Sequence, residues 1–184
     1  MLDDKGANGA ERRIMHGWAT IGTPPPVSGV PYWEQAHSIP RVITITADRL
    51  FQEPIPELQV LRYDPQELKA PVRLEDEVSR IEFLNGDALE ISATIDRGSA
   101  EKCGLIVRAD EQGAGTQIWI GAGTEFGIEN CRNKHFLKKN EVAELHIFVD
   151  RGVLEVYCNG AAVTHKCFAS ADTISVFAFG EKGT

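Results

Sequence analysis

Phe148, Asp150, Arg151, Glu155 and Tyr157 fall within one short stretch, and their types suit the binding of a polyhydroxylated ring. Aromatic rings cover the apolar side of a sugar, carboxylates accept hydrogen bonds from its hydroxyls, and an arginine donates to its oxygens. The same residues have a plainer use, in which Asp150 and Arg151 organise a turn and Glu155 pairs with a neighbouring strand or with an adjoining domain. Other chemistries find less support. His16, His37, His135, His146 and His165 are scattered without metal-ligand spacing, and Cys103, Cys131, Cys158 and Cys167 form no Cys-x-x-Cys or zinc pattern. No glycine-rich phosphate loop occurs, so neither a metal nor a cofactor is expected. The basic run Lys134-His135-Phe136-Leu137-Lys138-Lys139 reads as a solvated loop.

The stretch that must position these groups runs from Glu144 to Gly160, two β-branched and aromatic runs flanking Asp150-Arg151-Gly152. That is the pattern of a tight β-hairpin. With Arg151-Gly152 as the loop, Leu145 pairs with Cys158, Ile147 with Val156 and Val149 with Leu154, giving one wholly apolar face. His146, Phe148, Asp150, Val153, Glu155 and Tyr157 take the other face, which meets water, a ligand or a neighbouring layer. A slip of one residue would exchange the faces, so the register is strongly specified.

The chain has 184 residues, enough for one domain with a core and room for part of a second. A net charge of -8 argues against nucleic acid, whose phosphates require clustered Lys and Arg, and leaves uncharged ligands open. No apolar run is long enough to cross a bilayer as a helix, and the Met-Leu-Asp-Asp-Lys-Gly start is polar. The expectation is a cytoplasmic location if the chain is complete, or an excised piece of a larger protein. The four cysteines read as buried free thiols, and no Asn-x-Ser/Thr acceptor is present.

Leu145-His146-Ile147-Phe148-Val149-Asp150-Arg151-Gly152-Val153-Leu154-Glu155-Val156-Tyr157-Cys158-Asn159 resembles a hairpin of the C-terminal β-sandwich of invertases, levanases and inulinases, the family 32 glycoside hydrolases. Gly152 stands for the usual Ser and Tyr157 for the usual Phe. A second block is similar to the family in the same order. It comprises Arg12-Arg13-Ile14-Met15-His16-Gly17-Trp18, then Tyr32-Trp33-Glu34-Gln35-Ala36-His37-Ser38-Ile39-Pro40-Arg41-Val42, then Leu50-Phe51-Gln52-Glu53-Pro54 running on to Arg62. Here Glu11 precedes Arg-Arg where the family has Gly, Glu34-Gln35 replaces part of a Trp-x-Gly pattern, and Val42 stands for Glu.

The resemblance implies an all-β chain: a remnant last blade of a five-bladed β-propeller over residues 1–50, a linker over 51–71, and an antiparallel jelly-roll or concanavalin-like β-sandwich over 72–184. The residues agree with it. The prolines at 54, 56 and 65 exclude a long helix, leaving at most one or two turns from Glu57 to Arg62. Strand-like runs then recur at 81–83, 88–95, 103–108, 116–120, 144–150, 153–158 and 173–179. They are separated by turn signals such as Asn85-Gly86 and Asn159-Gly160. Leu89, Ile91, Ala93 and Ile95 alternate inward.

A retaining glycosidase needs two carboxylates about 5 Å apart. The family's Trp-x-Asn-Asp-Pro-Asn-Gly, Arg-Asp-Pro and Glu-Cys motifs, which supply them and hold the sugar, do not occur in this sequence. Tyr63-Asp64-Pro65 and Glu129-Asn130-Cys131 are chance strings in the wrong part of the chain. The expected function is therefore that of an accessory portion of a β-fructosidase acting on sucrose, levan or inulin, non-catalytic alone and supporting the absent propeller. By resemblance, Trp18 would line the substrate pocket of the intact enzyme, while Ser38, Pro40 and Arg41 would be structural. The family has one further strand after the run at 173–179, which would leave an open edge there and suggests a fragment or a homodimer. A stand-alone fructan-binding module, using the outward face of the hairpin, is the competing reading.

Overall fold

The computed structural model describes residues 2–6, 9, 11–20, 35–47, 49–123, 125–133, 142–167 and 169–182. Six strands come first: β1 (Leu2–Lys5), β2 (Glu11–Met15), β3 (Trp18–Thr20), β4 (Gln35–His37), β5 (Arg41–Ile45) and β6 (Leu50–Pro54). Four of them form an antiparallel sheet in the order β1-β2-β5-β6, and β3 pairs with β4 as a ribbon. Ser38 closes the base of that ribbon: its amide donates to the Gly17 carbonyl at 2.8 Å, and its hydroxyl accepts from the Gly17 amide at 2.6 Å. Pro40, two residues further on, lacks an N–H and so sits ahead of β5 rather than inside the ladder.

A 3-10 turn, Pro56–Leu61, then leads into an extended connection, and every residue from 61 to 77 except Leu74 is exposed. The sandwich itself contains β7 (Val78–Asn85), β8 (Ala88–Ile95), β9 (Lys102–Ala109), β10 (Thr116–Gly121), β11 (Phe126–Ile128) and β12 (Cys131–Asn133). It continues with β13 (Ala143–Asp150), β14 (Val153–Cys158), β15 (Ala161–Lys166) and β16 (Ser175–Glu181). One sheet has the order β12-β11-β10-β9-β16-β7 and the other β15-β14-β13-β8, all pairs antiparallel. Between them lies a single apolar core that includes Ile91, Leu105, Val107, Ile118, Phe126, Ile147, Val156 and Val176. Leu89, Ala93 and Ile95 pack against it, on the side the alternation assigned them.

The all-β sandwich is as expected, and the hairpin register is the one read from sequence: Leu145 opposite Cys158, Ile147 opposite Val156 and Val149 opposite Leu154. Three strands of the sandwich were not anticipated. β11 is interrupted by Gly127, β12 is polar, and β15 reads Ala-Ala-Val-Thr-His-Lys with little alternation to detect. One expectation is corrected. The run expected to carry an open edge is β16, and β16 is an interior strand, flanked by β9 and β7. The first strand of the sandwich closes on the last, so that side of β16 is already paired.

Cys103, Cys158 and Cys167 are buried free thiols and Cys131 is an exposed one. Burial pushes the Cys103 thiol up to about 11. The stretch at 134–139 and Tyr32-Trp33 lie outside the described residues.

Candidate functional site

The outward face of the β13–β14 hairpin divides into a covered half and an open half. Glu155 is 1% exposed and Tyr157 is also buried, because the N-terminal strands lie across them. Arg41, at the start of β5 and 6% exposed, donates from Nη2 to Glu155 Oε2 at 2.6 Å and to Thr164 Oγ1 at 2.9 Å, and from Nη1 to Gln52 Oε1 at 3.0 Å. The Ile39 amide donates to Glu155 Oε1 at 2.5 Å and the Tyr157 hydroxyl to Oε2 at 3.0 Å. The Arg41 guanidinium also faces the Tyr157 ring, 5.4 Å from its centroid. Loss of water pushes the Glu155 carboxyl above its ordinary range, with Arg41, the Ile39 amide and the Tyr157 hydroxyl pulling the other way. Desolvation likewise raises the Tyr157 phenol.

This buried clasp is reinforced nearby. The Gln52 amide of β6 donates to the Gly160 carbonyl at 2.7 Å, and Arg49 Nη2 donates to the Asn159 carbonyl at 2.6 Å. Gly160 has a φ of +85°, and a Cβ there would come within 2.6 Å of the Phe51 ring, so the turn between β14 and β15 requires glycine for Phe51 to lie over it.

The open half is a groove of about 800 Å³, a size typical of small-ligand clefts. Its floor is the outward face of β8, β13 and β14, where His146 and Phe148 have ring centroids 4.5 Å apart and Tyr157 meets Phe148 edge-on at 6.2 Å. β6 and the 3-10 turn supply the opposite wall with Gln52, Gln59 and Arg62. Arg62 forks onto Glu90 with hydrogen bonds of 2.7 and 2.6 Å, and His146 Nε2 lies 2.6 Å from Glu90 Oε1. The Arg62 guanidinium, with help from His146, holds the Glu90 carboxyl below its usual range. An aromatic floor beside an ionised carboxylate and an arginine can stack a sugar ring and bind its hydroxyls.

Of the residues singled out from sequence, Phe148 and Tyr157 come together in this groove. Glu155 stands behind Tyr157, committed to Arg41. Asp150 and Arg151 sit at the hairpin turn, where Arg151 has a φ of +49° and its amide donates to the Asp87 carbonyl at 2.6 Å. Trp18 lies apart on β3 with 64% of its surface exposed. Glu90, Arg62 and His146 were missed as a group because they come from β8, the end of the 3-10 turn and β13. The one available signal was the placement of His146 on the outward face. Asp64 lies in the exposed connection, and Glu129 in the turn between β11 and β12, where its Oε1 accepts from the Gln117 amide. Among the described residues no cluster of His, Cys, Asp and Glu could hold a metal ion.

The fold is an antiparallel β-sandwich clasped to a separate N-terminal sheet. Residues 57–184 match the family described as glycosyl hydrolases family 32 C terminal, and the chain belongs to that family. It is 26% identical over 180 residues to the raffinose invertase of Escherichia coli, covering 94% of this chain and 37% of that protein. Among solved structures it resembles fructan 1-exohydrolase IIa from Cichorium intybus, with a TM-score of 0.74 at 14% identity over 97% of this chain and 44% of that one. It also resembles exo-inulinase from Aspergillus awamori, with a TM-score of 0.70 at 17% identity over 92% of this chain and 38% of that one. The chain thus spans well under half the length of these relatives.

Proposed function

We propose that the chain is the accessory carboxyl-terminal portion of a β-fructofuranosidase-type glycoside hydrolase acting on sucrose, levan or inulin. In this reading residues 1–50 are the last blade of the catalytic propeller, 51–71 the linker and 72–184 the sandwich that steadies the blade. The observation that carries it is the buried clasp of Glu155 with Arg41 and the Ile39 amide, which ties the sandwich to the segment leading into β5. A charge pair removed from water needs near-complete hydrogen bonding, so it fixes one relative placement of the two sheets. The retaining mechanism needs two carboxylates placed across one bond, and the sequence holds none of the family's motifs for them. Purified chain incubated with sucrose, levan or inulin should release fructose at the buffer rate; turnover above that rate would overturn the accessory role.

The groove supports a second reading, in which this portion also grips fructan through the half-buried Phe148 beside Glu90. Titration calorimetry with levan or inulin should then give heat that Phe148→Ala abolishes. A flat wild-type titration would remove this reading and leave the accessory role intact.

A further inference from the structure

An open sheet edge does exist, on a strand other than β16. β8 is the terminal strand of its sheet, with β13 on one side and, among the described residues, no hydrogen-bonded neighbour on the other. It pairs with β13 over all eight residues without a bulge, so alternate residues turn their backbone N–H and C=O groups to the free side in one regular row. The core is open there as well. Leu89, Ala93 and Ile95 are half-buried, whereas their partners on β13, Val149, Leu145 and Ala143, are buried.

Other edges carry features that discourage pairing with a further chain. The other long edge strand, β7, presents Arg80 and Glu82 and meets β16 through a register shift. β1 is short and reads Leu-Asp-Asp-Lys, and β15 adjoins β6 and β12. β8 has no proline, and its one charged residue, Glu90, is already engaged by Arg62 and His146 of the same chain. Beside Glu90 on the outer face stand only Ser92 and Thr94, both exposed.

The strand is also its own complement. Antiparallel pairing of two copies about a two-fold axis through Ser92 sets Leu89 opposite Ile95 and Ile91 opposite Ala93 on the inner face, and Glu90 opposite Thr94 on the outer face. All four inward residues then meet apolar partners, and the carboxylate meets a hydroxyl. Other axes fit worse. Through Ile91, Ile95 would face Asp87; through Ala93, Glu90 would face Asp96 and Leu89 would face Arg97; through Glu90, two carboxylates would meet. We propose that β8 is a homodimer interface, in which two copies of this chain pair these strands across a two-fold axis at Ser92 and join their four-stranded sheets into one continuous sheet. The contact is isologous, each copy giving and receiving the same edge. Glu90, Ser92 and Thr94 also border the groove, so pairing brings the two grooves side by side with Thr94 of the second copy next to Glu90. That consequence rests on the groove reading, while the pairing stands on the edge alone.

Sedimentation equilibrium in about 0.15 M salt, which screens the repulsion between two chains of net charge -8, should show a reversible dimer. Ser92→Lys puts two ammonium groups on the axis at an exposed position. It should raise the dimer dissociation constant about tenfold or more with circular dichroism unchanged. In a Cys131→Ser background, which removes the exposed thiol, Ser92→Cys should form a disulfide-linked dimer on mild oxidation. Thr94→Cys should not, because in this register its two copies lie about 13 Å apart along the strands. A wild-type chain that stays monomeric at every concentration, a dimer that Ser92→Lys leaves equally tight, or cross-linking at Thr94→Cys in preference to Ser92→Cys would each overturn the interface. Calorimetry with inulin or levan that stays flat for a chain shown to be dimeric would remove the shared groove and leave the pairing in place.

Discussion

At the scale of single residues the decisive group is Glu155. A carboxylate in water costs nothing to keep ionised, but one buried beneath another sheet must be supplied with donors, and Arg41, the Ile39 amide and the Tyr157 hydroxyl supply them. Removing one partner leaves the other charge buried without compensation. Glu155→Ala should therefore lower unfolding stability by about 3–5 kcal/mol in urea titration, whereas replacing the pair together, Arg41→Met with Glu155→Leu, should cost much less. A loss under about 1 kcal/mol for Glu155→Ala would place the clasp among ordinary surface pairs. The sequence signalled that Glu155 faces outward but not that it is buried, since its partner Arg41 lies 114 positions upstream.

Glu90 supplies a pH test of opposite sign to that of Glu155. Its folded carboxyl titrates below the unfolded one, so its contribution is present above the ordinary value of 4.5 and is lost as pH falls through the folded value. The stability difference between wild type and Glu90→Gln should be open at neutral pH and close in acid; a difference independent of pH would contradict the Arg62–Glu90–His146 arrangement. Glu155, raised by burial, instead loses stability as pH rises from the ordinary carboxylate range through its folded value.

At the scale of elements, the sequence spoke clearly where alternation was strong. β8, β13 and β14 alternate over their whole length, one face apolar and one mixed, so their extent and the hairpin register were legible from periodicity alone. β11, β12 and β15 were not, because a three-residue strand holding a glycine, a polar three-residue strand and a strand beginning Ala-Ala carry too little contrast. The groove was half legible: Phe148 and Tyr157 belong to the hairpin, while Arg62, at the end of the 3-10 turn, meets Glu90 of β8 across 28 residues of sequence. Ile147, fully buried at the centre of the core, is the place to test the hairpin. Ile147→Ala should cost about 2–5 kcal/mol, read as a lower urea midpoint with an unchanged slope. A negligible shift would mean that the apolar face of the hairpin does not fill the core.

The connection between the sheets has the opposite character. Residues 62–73 are exposed and lack regular structure, so limited trypsin digestion should cut first at Lys69 or Arg73. First cleavage within β13 or β14 would contradict this expectation.

At the scale of the whole molecule, the N-terminal sheet and the sheet β15-β14-β13-β8, four strands each, share one buried ion pair and the Gln52–Gly160 backbone bond, and the 3-10 turn beside them is forked at each end through arginine. Arg12 Nη1 donates to Glu57 Oε2 at 2.9 Å on the side of the N-terminal sheet, and Arg62 grips Glu90 on the side of the sandwich. Such an arrangement transmits position rather than chemistry, in keeping with an accessory role. Trp18 reports on the N-terminal strands and Trp119 on the sandwich, which makes their coupling measurable. The most direct test follows urea unfolding by the emission of each indole in turn, with the other two tryptophans replaced by Phe. The clasp predicts coincident transitions in these backgrounds and separated ones when Glu155→Ala is added. Separate transitions with Glu155 in place, the N-terminal strands melting without regard to the sandwich, would contradict it.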